Sequence, residues 1–194
     1  MWFEETVKGR CRGAAYLCRY ADDFVCAFEL EADAERFYAV LGSRLGEFGL
    51  EVAAEKTTLL RFSPVNWKAS GTFEFLGFEF RWGLGRWRKP VIKRRTARQK
   101  YRAALANFQE WCQENCRQPK KTLFAKLNSK LRGYYHYYGI RGNFDSLHDF
   151  SYQARRILFK ALNRRSQRRS YTWKGFTKLI EVFNVRRPRI CHSF

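Results

Sequence analysis

The chain has 194 residues, which suits one large domain or two small ones, and 45% of them are hydrophobic, including 18 Phe, 10 Tyr and 6 Trp. That excludes a disordered polymer and leaves enough apolar surface for a sizeable core. A formal net charge of +20 and a sequence pI near 10.1 point to a polyanionic partner, most often nucleic acid, with a basic ribosome-associated or merely soluble protein as the alternative.

The charge is unevenly placed. Residues 1–89 hold 13 Lys/Arg against 13 Asp/Glu, whereas residues 90–194 hold 25 against 5. A neutral half beside a strongly basic half reads as a catalytic or structural part joined to a binding part.

In chain order, residues 2–7 read as the tail of a helix. Residues 14–19 and 24–28 are predicted antiparallel strands joined by the tight turn Tyr20-Ala21-Asp22-Asp23, giving a hairpin with two carboxylates at its tip. Residues 31–48 form a predicted amphipathic helix with Phe37, Leu41, Leu45 and Phe48 on one stripe, Asp33 and Glu35 near its positive end, and Gly49 as its stop. Short strands are predicted over 50–52 and 57–62. A strand over 73–80 follows, paired with 82–91 through a turn at Gly83-Leu84-Gly85.

Beyond Thr96 the pattern turns helical. Helices are predicted over 98–116, from Pro119 to about 138 with Gly139 as the stop, and over 147–165. The tail carries Trp173, Phe176, Leu179 and Ile180 and ends in Arg186-Arg187-Pro188-Arg189. The predicted fold is α+β, with a domain over 1–92 and an all-α domain over 93–194.

None of the six cysteines forms a CxxC pair. Cys112 and Cys116 lie four apart on a predicted helix that His136 could join, but free thiols in a reducing cytosol are the simpler reading. The N-terminus shows neither a basic leader nor a long apolar run. A cytoplasmic protein without a membrane segment is therefore expected.

Adjacent carboxylates on a hairpin tip repel each other unless a cation joins them. Mg²⁺ suits, because it takes carboxylate oxygens together with substrate phosphates. A pair of such ions serves phosphoryl transfer by activating a 3′-hydroxyl and steadying the leaving pyrophosphate. A bare Asp-Asp is usually a solvated turn, but one flanked by Tyr and by apolar strands on both sides is far rarer.

Arg19-Tyr20-Ala21-Asp22-Asp23-Phe24-Val25 resembles the catalytic hairpin of group II intron reverse transcriptases. Glu55-Lys56-Thr57 resembles the motif after the next palm helix of that family, and Phe75-Leu76-Gly77-Phe78 its primer-grip hairpin. The run from Leu127-Asn128-Ser129 to Tyr137-Tyr138-Gly139 resembles its maturase-specific helix. The four motifs stand in the family's order and cover roughly residues 2–165.

The resemblance implies a partial reverse-transcriptase palm, an antiparallel sheet plus helix, followed by a thumb and maturase region. Asp22 would ligate catalytic Mg²⁺ and Asp23 would support that site. Lys56 would lie near the incoming triphosphate, unless it is an ordinary surface lysine. Leu76, Gly77 and Phe78 would hold the primer end. The implied partners are intron RNA and an RNA/DNA template-primer.

The family also has fingers and an earlier palm Asp, and Asp22 is the first Asp here. The two-metal site is therefore expected to be incomplete, with a separate chain supplying fingers and the rest of the palm. This chain alone is expected to bind structured RNA without polymerising, and to expose an apolar sheet edge that lowers its solubility.

The candidate RNA-binding residues are Lys120, Lys121, Lys126, Lys130, Arg132 and Tyr134, followed by Arg155, Arg156, Arg164, Arg165, Arg168 and Arg169. Cations so dense repel one another, which a phosphate backbone relieves. Tyr134, Tyr135, Tyr137 and Tyr138 cannot all face one core, so some are available to stack on bases. A non-catalytic maturase module, a related reverse transcriptase outside introns, and a structural ribosomal protein are the other readings. The last explains the charge but not the ordered motifs.

Overall fold

A computed structural model describes residues 2–164 and 170–192. It is a mixed α+β structure with two small sheets and a helical C-terminal region. The chain divides into two compact units: Met1–Leu76 with Phe80–Ile92, and Gly77–Glu79 with Lys93–Phe194.

In the first unit, the opening helix (α1) is π-wound over Phe3–Val7 and ends in one α turn, Lys8–Arg10. Strands β1 (Ala15–Tyr20) and β2 (Asp23–Phe28) form an antiparallel hairpin whose register runs from Ala15↔Phe28 to Tyr20↔Asp23. Helix α2 (Glu31–Gly46) covers one hairpin face. Its Phe37 and Leu41 join Phe3, Val7 and Ala15 in a small core, with Leu17, Cys26 and Phe28 packed against it. Alternation along β1 leaves Tyr16, Cys18 and Tyr20 exposed on the opposite face.

The helix stripe stops short of expectation. Phe48 lies beyond the end of α2 and is 65% exposed. No strand forms over 50–52 or 57–62; a hydrogen-bonded turn closes over 53–57 instead, with Lys56 and Thr57 donating to the Ala53 carbonyl.

The predicted strand over 73–80 is a hairpin. Strand β3 (Phe73–Phe75) turns at Leu76-Gly77 into β4 (Phe78–Leu84), and β5 (Pro90–Thr96) pairs with β4. Leu76 and Gly77 both have positive φ, +50° and +74°, as a two-residue primed turn requires. The β4–β5 turn falls at 85–89 rather than at Gly83-Leu84-Gly85; Gly85 donates to the Lys89 carbonyl there at 2.9 Å.

The second unit is built on α3 (Arg98–Asn115), α4 (Lys120–Tyr138), α5 (Phe144–Asn163) and α6 (Trp173–Val182). One core joins them, drawing Phe108 and Cys112 from α3, Leu127 and Leu131 from α4, Leu147 and Leu158 from α5, and Phe176 from α6. Helix α5 begins at Phe144, three residues before the predicted start, and α6 is an additional helix formed by the apolar residues of the tail. Thr172 caps α6 by accepting from the Gly175 amide.

Beyond α6 the chain doubles back along α4. Asn128 donates to the Phe183 carbonyl and accepts from the Arg186 amide. Gly139 accepts from the Cys191 and His192 amides. Residues 183–192 therefore form a strap fixed at both ends of the second half of α4.

Candidate functional site

The hairpin tip is made by local backbone chemistry. Tyr20 and Asp23 are the last cross-strand pair, so Ala21 and Asp22 alone make the turn. Ala21 takes φ +50°, an uncommon conformation for a residue with a Cβ, and the Arg19 Nε donates to its carbonyl at 3.0 Å. Asp22 and Asp23 are both exposed. Among the described residues neither makes a side-chain hydrogen bond or ion pair, so no described group claims their oxygens.

Such a pair fits part of a Mg²⁺ donor set, since the ion favours exposed carboxylates plus phosphates and water. Among the described residues, no group of three or more His, Cys, Asp or Glu is placed to hold a metal ion. Lys56 is exposed in the turn at 53–57, and among the described residues no side-chain hydrogen bond or ion pair engages it.

What holds the hairpin base was missed in the sequence. Asp33 is buried, and its Oδ2 accepts from the Arg12 and Gly13 amides at 2.9 and 3.0 Å, while Oδ1 pairs with Arg36. The Gly13 amide, with help from Arg36 and the Arg12 amide, holds the Asp33 carboxyl below its ordinary value despite burial. Asp33 is thus a backbone clamp on the segment leading into β1. A buried Asp at the third position of a helix is the signal, but the helix dipole explained it too easily.

In the second unit, Gly77 and Phe78 lie against α4. A Cβ on Gly77 would come within 3.3 Å of the Tyr138 hydroxyl, and the Phe78 ring meets Tyr137 and Tyr138 at centroid distances of 6.1 and 5.4 Å. Leu76 supplies the first position of the turn.

The α4 cations do not share a face. Leu123, Phe124, Leu127, Leu131 and Tyr135 point into the core. At about 100° per residue, Lys126 and Lys130 fall on one flank of that stripe, and Lys121 and Arg132 on the other. All four are exposed, as is Lys120 at the helix start, whose ammonium lies 5.3 Å from the Tyr171 ring centroid. The strap, held at Asn128 and Gly139, runs along the second flank and adds exposed Arg186, Arg187 and Arg189 to it. The long-range pairing of Asn128 with 183–186 had no sequence signal.

Tyr134 is half-buried and its ring stacks on Phe150 at 3.7 Å, so one π face is already used within the core. Burial raises its phenol, as it does that of Tyr135. Tyr137 is the exposed tyrosine of the four, at 54%. On α5, Arg156 is exposed over Tyr152 and Arg164 is exposed, but the Arg155 Nε is buried without a hydrogen-bond partner. Arg165, Arg168 and Arg169 lie outside the described residues. Cys112 and Cys116 are buried, while His136 is exposed with its ring against His192. No helix among the described residues is long and apolar enough to cross a membrane.

A helix-backed hairpin presenting paired carboxylates is an arrangement suited to metal-assisted phosphoryl transfer. Residues 2–80 match the family model for reverse transcriptase (RNA-dependent DNA polymerase), so that stretch is similar to a reverse transcriptase. The match holds the Asp22–Asp23 hairpin, Lys56 and the Leu76-Gly77 turn; residues 81–194 lie outside it. No curated protein and no solved structure matches the chain.

Proposed function

We propose that this chain is part of an RNA-directed DNA polymerase of the group II intron type, whose helical unit binds intron RNA and template-primer. The observation that carries the reading is the exposed, unpaired Asp22–Asp23 tip inside the stretch matched to reverse transcriptases. In this reading Asp22 and Asp23 would hold Mg²⁺ through their carboxylate oxygens, and bound Mg²⁺ would supply activation of a 3′-hydroxyl and charge relief at a leaving pyrophosphate. Lys56 lies near the incoming triphosphate, and Leu76, Gly77 and Phe78 position the primer end.

The donor set of the described residues is partial, so the chain alone binds RNA and does not polymerise. In this reading the remaining donors and the fingers lie outside these residues. Strands β1 and β2 pair only with each other among the described residues, so further palm strands can pair with this hairpin in the complete sheet. Primer extension with Mg²⁺ tests this reading. No synthesis is expected from the chain alone, and robust synthesis that disappears in Asp22→Ala would refute it.

The second reading, a splicing module without catalysis, is favoured by the exposed cations of α4 and the strap. It predicts that Asp22→Ala leaves intron RNA binding and splicing assistance unchanged even when fingers are supplied in trans. Synthesis restored to the unsubstituted chain by fingers in trans, and absent from Asp22→Ala, decides for the polymerase.

A further inference from the structure

The turn between β4 and β5 carries Arg86, Trp87, Arg88 and Lys89, and all four are exposed. Two backbone bonds set its shape. The Gly85 amide donates to the Lys89 carbonyl at 2.9 Å, and the Arg88 amide donates to the Gly85 carbonyl at 3.1 Å. Arg88 takes the left-handed φ of +55°, uncommon for a residue with a Cβ. Trp87 is 79% exposed and joins neither hydrophobic core. Among the described residues its ring meets only the Arg86 guanidinium, 5.6 Å from the ring centroid, which leaves most of the ring in solvent. No described carboxylate pairs with Arg86, Arg88 or Lys89.

We infer that this turn grips one unpaired nucleotide of an RNA strand, with the base stacked on Trp87 and the phosphates on either side met by Arg86 and Arg88. The inference rests on the RNA-binding reading above and adds a contact in the first unit, whereas that reading places RNA on the helices. A tryptophan left in water contributes little to folding, because its apolar area is not buried. The ring gains when a second π face covers it. Every base has such a face, so the contact tolerates sequence.

The cations fit the same occupant. Each base within a strand has a phosphate before and after it, and Trp87 has an arginine before and after it in the chain. A planar guanidinium pairs with phosphate oxygens in bidentate fashion and also stacks on rings, and Lys89 adds a third positive charge. A base inside a duplex has both faces covered by its neighbours, so a duplex meets the cations but not the ring. The turn therefore selects loops, bulges and single-stranded ends. An anionic lipid surface would also meet cations beside a tryptophan. The adjoining stretch matched to reverse transcriptases favours the polynucleotide.

The test titrates the full chain into fluorescein-labelled single-stranded oligouridylate and into an RNA duplex, read by anisotropy. Trp87→Ala is expected to weaken single-strand binding about tenfold and to leave duplex binding unchanged. Trp87→Phe keeps a π face and is expected to recover most of that loss. Arg86→Ala with Arg88→Ala is expected to lower the salt slope for the single strand by about 1.4. These positions are exposed, so the circular dichroism spectrum is expected to stay as in the wild type. The inference is overturned if the duplex loses as much affinity as the single strand in Trp87→Ala. It is also overturned if Trp87→Ala frees the chain from phosphatidylserine vesicles while single-strand binding stands. Salt-dependent RNA binding that none of the three variants alters overturns the turn contact alone. Absence of RNA binding overturns the functional reading with it.

Discussion

Replacing Asn143 by alanine removes one amide that ties the end of β5 to the α4–α5 junction. Its Oδ1 accepts from the Thr96 amide at 2.8 Å, and its Nδ2 donates to the Thr96 hydroxyl at 3.0 Å and to the Tyr138 carbonyl at 2.9 Å. Asn143 and Thr96 are 1% and 3% exposed, so water does not replace what is lost. The three bonds are unequal. The Tyr138 carbonyl keeps the Ile140 amide at 2.9 Å, and the Thr96 hydroxyl can rotate.

The Thr96 N–H has no such recourse, and a buried orphan donor costs about 1–3 kcal/mol. The void left by the amide adds about 1 kcal/mol. Asn143→Ala is therefore expected to destabilise the helical unit by about 2–4 kcal/mol. Thr96→Val keeps the backbone bond and is expected to cost about 1 kcal/mol. Urea unfolding followed by far-ultraviolet circular dichroism reads both, with the slope checked for constancy. A cost for Asn143→Ala under about 0.5 kcal/mol, or one below that of Thr96→Val, would refute this reasoning.

Gly139→Ala places a Cβ against the Tyr135 carbonyl and within 2.9 Å of the Arg189 carbonyl, so the strap must shift. A loss of about 1–3 kcal/mol and faster tryptic cleavage at 186–189 are expected. For Asp33, whose carboxyl is held below the ordinary 3.8, the bonds to the Arg12 and Gly13 amides contribute stability above that value. The contribution is lost as pH falls through the lower folded value. Acid unfolding of Asp33→Asn, followed by hydrogen exchange at Arg12 and Gly13, is expected to lack that pH dependence. Burial pushes the Cys26 and Cys112 thiols up to about 12. Iodoacetamide mass spectrometry at mild alkaline pH is expected to find exposed Cys18 labelled and those two protected until the chain unfolds.

The elements with a repeating apolar signal were legible. Helices α2, α3 and α4 start within a residue of expectation because their stripes and the breakers at Thr96 and Pro119 are local. The β1–β2 hairpin was legible because its turn separates two apolar runs. What failed was decided elsewhere in the chain. Leu59 and Leu60 suggested a strand, but no partner strand pairs with them among the described residues. The alternation of Phe73, Phe75, Phe78 and Phe80 concealed a turn, because Leu76 is a poor residue for positive φ and only Gly77 hinted at it. Asn143 stands where a helix cap is usual, yet its side chain makes no cap bond and reaches Thr96 instead. At the candidate site, the acidic tip was readable as a motif. The clamp by Asp33 and the strap depend on hydrogen bonds between residues 20 to 58 apart in sequence, as for Gly13 with Asp33 and Arg186 with Asn128.

The sequence treats the α4 cations as one set, whereas the helix separates them by roughly 150° around its axis. A nucleic-acid strand lying along one flank cannot also meet the other. The flank facing α3 has Lys126 and Lys130; the other has Lys121, Arg132 and the strap arginines. Under the proposed RNA-binding function, the two flanks would meet different segments of a folded RNA through its phosphates. Removing one phosphate-neutralising cation lowers the salt slope of binding by about 0.7 for a single strand and about 0.9 for a duplex. Lys126→Ala with Lys130→Ala is therefore expected to lower it by about 1.4. Arg132→Ala with Arg187→Ala is expected to lower it by about 1.8 when the flank holds duplex. The four changes together are expected to add, since the flanks share no partner. If either pair alone abolishes salt-dependent binding, both flanks serve one RNA segment, and the division of labour drawn from helix geometry is wrong.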